Sequence, residues 1–158
     1  MGKGKTNAMR MLDAGKIPYE MHTYKAEDGK IDGVSVAEKV GRDPKLVYKT
    51  LVAQGTSKQV FVYVIPVAEE LDLKKAAAVA GEKKVEMVAV KDIQKLTGYI
   101  RGGCSPVGMS KKYPTFIESA AKELETIIVS GGKIGTQIEL MPDMLAGVTD
   151  GKFAGIVK

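Results

Sequence analysis

The sequence predicts an α/β fold of the α+β type, in which a mixed, largely antiparallel sheet is surrounded by short helices. Strand-like and helix-like segments follow one another irregularly, which argues against the regular alternation typical of a parallel sheet. The 158 residues suit one domain, and their apolar content of 44% is ordinary for a globular protein. We therefore expect residues 1–158 to form a single domain.

The N-terminal part of the chain predicts a helix followed by a strand. Apolar residues at helical spacing predict the helix over 6–14. Alternation over 19–24 predicts a strand in which His22 and Tyr24 share a face. A strand histidine is usually a hydrogen-bonded structural residue, and a strand tyrosine usually packs half-buried with its hydroxyl bonded.

Two capped turns then precede a strand that carries a lysine. Ser35 and Glu38 have the spacing of a capping box, and Asp43-Pro44 has the order of a helix start. The β-branched run over 47–52 predicts the strand. Lys49 lies inside it, so its ammonium either reaches the edge of the sheet, which is the usual position for a lysine, or enters a cleft.

The strongest strand signal is the nearly continuous apolar run over 60–65, which is typical of a strand buried on both faces. A hairpin at 55–58 connects it to the preceding strand. The remaining patterns predict a helix over 71–80, a lysine-rich solvated turn at 82–87, a helix over 91–96, strands at 114–117, 126–130 and 137–140, short helices at 119–124 and 142–146, and a glycine-rich turn at 130–135.

A glycine-rich loop at 98–109 follows the helix over 91–96. Its glycines and one proline suit neither a helix nor a long strand, but they suit backbone that passes close to a ligand. Gly102 and Gly103 could offer uncovered peptide N–H groups to a carbonyl or phosphate oxygen, and Pro106 fixes the path. The alternative is a plain turn between two strands.

Composition excludes several classes of protein. No segment approaches the length of a membrane span, and the polar N-terminus lacks the apolar region of a secretory signal, so we expect a cytoplasmic protein. The single cysteine, Cys104, excludes an internal disulfide and argues against a zinc or iron–sulfur site built from cysteines, and the single histidine, His22, argues against a histidine-rich metal site. We expect neither a metal nor a cofactor. A net charge of +5 favours polyanions modestly, and from charge alone a solvated lysine-rich surface is the preferred explanation.

The available side chains limit the chemistry. His22 and Cys104 would be the sole pair for a cysteine hydrolase, and no carboxylate is evident that would orient the histidine. A cleft of glycine-rich backbone, one lysine and some hydroxyls offers donors but no strong base. Such a site suits a substrate that is already activated, such as an ester, whose carbonyl it orients and polarises.

Several motifs in order resemble one family over nearly the whole chain. They are Tyr24, the Val47–Leu51 strand, Leu71-Asp72-Leu73-Lys74-Lys75, the run Lys83–Met87, Gly98-Tyr99 with Gly102–Pro106, and Ser130–Lys133. Together they resemble the YbaK family, bacterial cysteinyl-tRNA(Pro) deacylases related to the editing insertion domain of bacterial prolyl-tRNA synthetase. The resemblance implies a barrel-like sheet surrounded by short helices.

The resemblance also implies a function and a set of site residues. It implies a hydrolase that acts in trans on the ester of mischarged Cys-tRNA(Pro), or also of Cys-tRNA(Cys), because a pocket cannot strongly reject cysteine as a near-isostere of proline. Lys49 and Tyr24 would be the catalytic pair, with Lys49 holding the terminal adenosine or its phosphate. The substrate-binding residues would be Gly102, Gly103, Ser105, Pro106, Ser130, Gly131 and Gln137. Relatives are expected to carry an aspartate at Gln137, so any role of that carboxylate is in doubt.

The family mechanism implies that the substrate's own thiol attacks its carbonyl, with water attack as the competing route. The implied partners are aminoacylated tRNA(Pro) and prolyl-tRNA synthetase. Two alternatives stay open. One is a deacylase for another amino acid, such as Ala-tRNA(Pro), and the other is a tRNA-binding module without catalysis.

Overall fold

The computed structural model describes residues 5–158. Residues 1–4 lie outside the described residues. The expectation of no secretory signal rests in part on this polar segment. The helices are α1 (Asn7–Ala14), α2 (Gly33–Lys39), α3 (Leu73–Ala80), α4 (Val90–Thr97) and α5 (Pro142–Thr149), with 3-10 turns at Pro44–Leu46 and Ser119–Glu123. The strands are β1 (Glu20–Thr23), β2 (Tyr48–Gly55), β3 (Val60–Pro66), β4 (Val85–Met87), β5 (Thr115–Glu118), β6 (Ile127–Lys133), β7 (Thr136–Leu140) and β8 (Lys152–Ala154).

The strands form two sheets. One is antiparallel, in the order β1-β7-β6, and the other is mixed, in the order β4-β2-β3-β5-β8. In the mixed sheet β4, β2 and β3 are antiparallel, whereas β3–β5 and β5–β8 are parallel. This confirms the predicted fold class. The described strands do not close into one barrel, because only a bridge between Val47 and Ile128 links the two sheets.

β3 is the centre of the molecule, and all seven of its residues are buried. Its two faces serve different cores. Val60, Val62 and Val64 pack in a core with α1 and the antiparallel sheet, whereas Phe61 and Tyr63 pack in a second core with α3 and Phe116. A strand covered on both faces explains the continuous apolar run in the sequence.

Four local predictions differ from the structure. The segment 82–87, predicted as a solvated turn, contains strand β4 over Val85–Met87, because Val85 is buried in the core with α3. α2 begins at Gly33, because Asp32 and not Ser35 is its cap and accepts from the Ser35 N–H at 3.2 Å. The helix predicted over 119–124 is a 3-10 turn. The glycines at 131–132 continue β6 with an irregular register, so the hairpin turn lies at 134–135.

Within residues 5–158, the helices are all too short to cross a bilayer as an apolar span.

Candidate active site

A cleft of about 520 Å³ opens where β2 has no neighbouring strand on one edge. β4 pairs only with Ala53–Gly55 of β2, and the bridge from Val47 to Ile128 ties the other end of β2 to the antiparallel sheet. Between these junctions, none of the described strands lies beside that edge over Tyr48–Leu51. The cleft occupies this gap. Its other walls come from the start of α2, the β4–α4 connection, the glycine-rich loop and the β6–β7 pair.

Lys49 lies in the wall of this cleft and is half-buried. Its ammonium forms no hydrogen bond or ion pair with any other residue of the described range. The lining also contains Arg101 and Asp32, and Asp32 is engaged as the cap of α2. Lys49 is therefore a cation in a cleft, without a partner among the described residues. Of the two positions expected for it, the edge of the sheet and a cleft, the structure has the cleft.

Thr50 presents polar groups to the cleft that the sequence analysis missed. Its Oγ1 is buried and has no hydrogen-bond partner among the described residues. The Val52 carbonyl, two positions on, points away from β3 and accepts from the Val88 N–H at 3.0 Å. Because peptide groups two residues apart point to the same side of a strand, the N–H and C=O of Thr50 face the gap. The cleft thus has donors and acceptors that no other residue of the described range engages.

The glycine-rich loop forms the opposite wall. Gly102 lines the cleft with a φ of +86°, a left-handed conformation that favours glycine, and a Cβ there would lie 2.9 Å from Cδ1 of Ile31, whose side chain would have to move. Gly103 instead packs behind the cleft, where a Cβ would lie 2.9 Å from the backbone N of Ile134 and from Cα of Lys133. Its N–H donates to the Ile100 carbonyl at 3.0 Å, so the prediction of a free amide at Gly103 is wrong.

Ser105 and Pro106 hold the loop from inside. Both are buried and lie outside the residues that line the cleft. The Ser105 Oγ accepts from the Val107 N–H at 3.2 Å. The Tyr99 hydroxyl donates to the Val107 carbonyl at 2.7 Å, which fixes the far side of the loop.

Cys104 lines the cleft as a buried thiol. Burial raises its pKa to about 11, only partly offset by a hydrogen bond from Sγ to the Thr97 hydroxyl at 3.9 Å. The thiolate fraction near neutral pH is therefore small, which favours packing over nucleophilic attack as the role of Cys104.

Ser130 and Gln137 are directly paired across β6 and β7, and both line the cleft. Directly paired residues place their side chains on the same face, so a hydroxyl and an amide lie side by side there. The Ser130 Oγ accepts from the Gly132 N–H at 3.2 Å. Gly131 is buried outside the lining, and its carbonyl accepts from the Thr6 hydroxyl.

Tyr24 lies outside the lining of the cleft, just after β1. Its N–H donates to the Gly135 carbonyl at 2.9 Å, and the ammonium of Lys39 lies 5.8 Å from the centre of its ring. Its hydroxyl is buried without a partner among the described residues, so the expectation of a bonded hydroxyl is wrong.

A charged cluster lies on the same face of the antiparallel sheet as Gln137. Glu139 accepts from His22 Nε2 at 2.8 Å, from Arg42 at 3.1 Å and from the Thr126 hydroxyl. Burial alone would raise the pKa of the Glu139 carboxyl, but the hydrogen bonds from Thr126 and His22 and the Arg42 charge lower it. The prediction that His22 is hydrogen-bonded is confirmed, and its structural role stays a prediction.

The same cluster is the place where a cation could be considered. Ligand atoms of Glu20, His22 and Glu139 lie within 4.8 Å of one another. The Arg42 guanidinium already neutralises Glu139 and would repel a metal ion. We therefore interpret the cluster as an ion pair that ties β7 to β1 and to the segment after α2.

Comparisons with known proteins agree with this architecture. The family model of the aminoacyl-tRNA editing domain matches residues 32–147. A protein of Enterococcus faecalis, a proposed Cys-tRNA(Pro)/Cys-tRNA(Cys) deacylase named EbsC, is 47% identical over 152 residues, which are 96% of this chain and 93% of that protein.

Solved structures share the fold at low identity. The crystal structure of a proposed trans-editing enzyme for prolyl-tRNA synthetase is 20% identical with a TM-score of 0.82, and the match covers 96% of this chain and 95% of that one. The hypothetical protein APE2540 is 19% identical with a TM-score of 0.87, over 97% and 100% of the two chains. The match of the family model and the identity to the Enterococcus protein place this chain in the aminoacyl-tRNA editing domain family.

Proposed function

We propose that the protein is a trans-editing enzyme that hydrolyses the ester of mischarged Cys-tRNA(Pro), and also of Cys-tRNA(Cys). The observation that carries the proposal is the cleft itself, which combines the free ammonium of Lys49 with the unpaired groups of Thr50 and the close backbone of Gly102. The choice of cysteine as the amino acid is supported by the name of the Enterococcus relative.

The cleft has the chemistry to position an ester rather than to attack it. Its only lining carboxylate is Asp32, which caps α2, and its thiol at Cys104 stays protonated. An aminoacyl ester is activated already, so orienting its carbonyl and stabilising the developing oxyanion provide the rate enhancement. We assign the stabilising positive charge, or the hold on the terminal phosphate, to Lys49.

The attacking group then comes from the substrate. The cysteine sulfur forms a bond to its own carbonyl carbon, the bond from that carbon to the ribose oxygen breaks, and the ribose hydroxyl takes the proton that the thiol gives up. Water then opens the strained cyclic thioester. A water molecule oriented by a hydroxyl of the tRNA terminus is the competing route, and alanine or proline esters, which lack the thiol, separate the two.

The predicted site residues divide into two groups in this proposal. Lys49, Gly102, Ser130 and Gln137 would contact the substrate, because they line the cleft. The second group would hold the walls of the cleft in place without contacting the substrate; it consists of Gly103, Ser105, Pro106 and Gly131. Tyr24 lies outside the lining of the cleft, so we assign it a supporting role beside Gly135.

The direct test is deacylation of preformed Cys-tRNA(Pro), Ala-tRNA(Pro) and Pro-tRNA(Pro) by the wild-type protein and by Lys49→Ala. We expect the cysteine ester to be cleaved fastest and Lys49→Ala to lose about 100-fold in rate. The matched control is Lys152→Ala, an exposed lysine on β8 at the opposite edge of the mixed sheet. Equal rates on all three esters, or a fully active Lys49→Ala, would contradict the proposal.

We also propose that prolyl-tRNA synthetase and tRNA(Pro) form a complex with the protein in the cytoplasm. The small charge excess of +5 suggests that the protein alone binds tRNA weakly. The solved relative that is described as a trans-editing enzyme for prolyl-tRNA synthetase supports the choice of partner. Co-sedimentation of the protein with the synthetase in the presence and absence of tRNA(Pro) tests it.

A further inference from the structure

A second cleft of about 550 Å³ adjoins the first one. Met87 and Val88, at the end of β4, line both clefts, so the two are continuous over this strand end. The second cleft lies at the β4-paired end of β2, near Gly55. Thr50 and Gly55 are five positions apart on β2, which corresponds to about 17 Å along an extended strand.

The second cleft is rich in lysine. Lys58, Lys84 and Lys95 line it, against the carboxylates of Glu86 and Asp92. Lys84 pairs with Glu86 at 3.0 Å on the surface. In the described part of the chain the ammonium groups of Lys58 and Lys95 have no ion pair, so they are available to an anion.

Exposed apolar side chains lie between the lysines and the first cleft. Met87 is 45% exposed and Val90 is 55% exposed. A methionine is flexible and polarisable, which suits contact with a flat ring. Proteins that bind single-stranded nucleic acid combine cations that hold phosphates with side chains on which bases stack, most often aromatic rings. Among the described residues that line the second cleft there is no aromatic ring, so the exposed thioether of Met87 would take that place here.

We propose that the second cleft binds the single-stranded 3′ end of the RNA substrate, with phosphates against Lys58 and Lys95 and a base on Met87. The inference rests on the proposed function, because an ester bound at Lys49 fixes where the terminal nucleotide lies. The nucleotides that precede it must leave the first cleft, and the shared boundary at Met87 and Val88 leads them to free lysines.

The test compares a long and a short ester of the same amino acid. The substrates are Cys-tRNA(Pro) and 3′-O-cysteinyl adenosine, which lacks the preceding nucleotides. The variant is Lys58→Ala/Lys95→Ala, and the matched control is Lys74→Ala/Lys152→Ala, two exposed lysines on α3 and β8. We expect the first double variant to raise KM for the tRNA about 10-fold at low salt, and to reduce the slope of log KM against log salt by about 1.4, since each phosphate contact to a single strand contributes about 0.7.

The same variant is expected to leave the rate on cysteinyl adenosine unchanged. An unchanged KM for the tRNA, or an equal loss on both substrates, would overturn the inference. Fluorescence anisotropy with a labelled RNA oligonucleotide that ends in CCA and carries no amino acid gives a readout independent of catalysis. Weaker binding of this RNA by the variant supports RNA binding in the second cleft even if no ester is cleaved. In that case only the proposed function fails. A variant that binds this RNA normally but no longer binds prolyl-tRNA synthetase would show that the second cleft binds a protein, and it would overturn the inference.

Discussion

Replacing Gly103 by alanine tests whether the glycine-rich loop must pack against the β6–β7 hairpin. The added Cβ would lie 2.9 Å from the Ile134 N and from the Lys133 Cα, and 3.0 Å from the Lys133 carbonyl carbon. These are backbone atoms and cannot rotate away, so either the loop or the hairpin must shift. Such overpacking costs about 1–3 kcal/mol. For a chain of this size each kcal/mol lowers Tm by about 2–4 °C, so we expect a loss of roughly 2–12 °C.

The matched control is Gly147→Ala, on the exposed side of α5, where an added Cβ has no atom within 4 Å. Because alanine favours a helix over glycine, this change should raise stability by about 0.5–1 kcal/mol. Differential scanning calorimetry of both variants, followed by deacylation of Cys-tRNA(Pro), measures the stability and the function together. A Gly103→Ala protein with wild-type Tm and activity would refute the close approach that we describe.

Three further changes test the cleft and the cluster behind it. Glu139→Gln should cost about 2 kcal/mol at neutral pH, since it removes a charged acceptor from His22, Arg42 and Thr126. The folded state lowers the pKa of Glu139, so the carboxylate contributes to stability above the usual pKa of 4.5, and this contribution is lost as pH falls. The free energy of unfolding, measured with urea from pH 7 to 3, should therefore decrease less steeply in the variant. Cys104→Ala should keep deacylation activity, and the native thiol should resist iodoacetamide at pH 7.5 until the protein is unfolded, because its pKa is about 11. Thr50→Val should leave stability unchanged within about 1 kcal/mol, since its Oγ1 bonds to no described residue, while reduced deacylation would show that the hydroxyl meets the substrate.

Local signals predicted the elements well where the relevant contacts are close in sequence. Thr6 caps α1 and Gly15 ends it, and the hairpin between β2 and β3 follows from its turn and its flanking apolar runs. The start of α2 was misplaced because both Asp32 and Ser35 are good caps. The structure uses both, since the Asp32 carboxylate accepts from the Ser35 N–H and hydroxyl.

The site was predictable only in part. Lys49 inside a strand and the glycines at 102–103 were visible in the sequence, and the structure brings Lys49 and Gly102 to one cleft. The gap beside β2 was not visible, because it depends on how far β4, more than thirty residues away along the chain, pairs with that strand. The cluster around Glu139 combines residues from four separate segments, so no local pattern indicates it.

The gap beside β2 exposes two independent sets of groups to the cleft: the peptide groups of the strand and the apolar side chains of the lining. The peptide groups of Thr50 exist whatever side chains surround them, because the strand pairing that exposes them does not depend on the cleft lining. Val52, Ile93 and Cys104 border the same space and can change size without altering that pairing. If the cleft holds the ester as we propose, one scaffold would serve esters of several amino acids, and single apolar replacements would adjust the selectivity while the peptide groups of Thr50 stay in place.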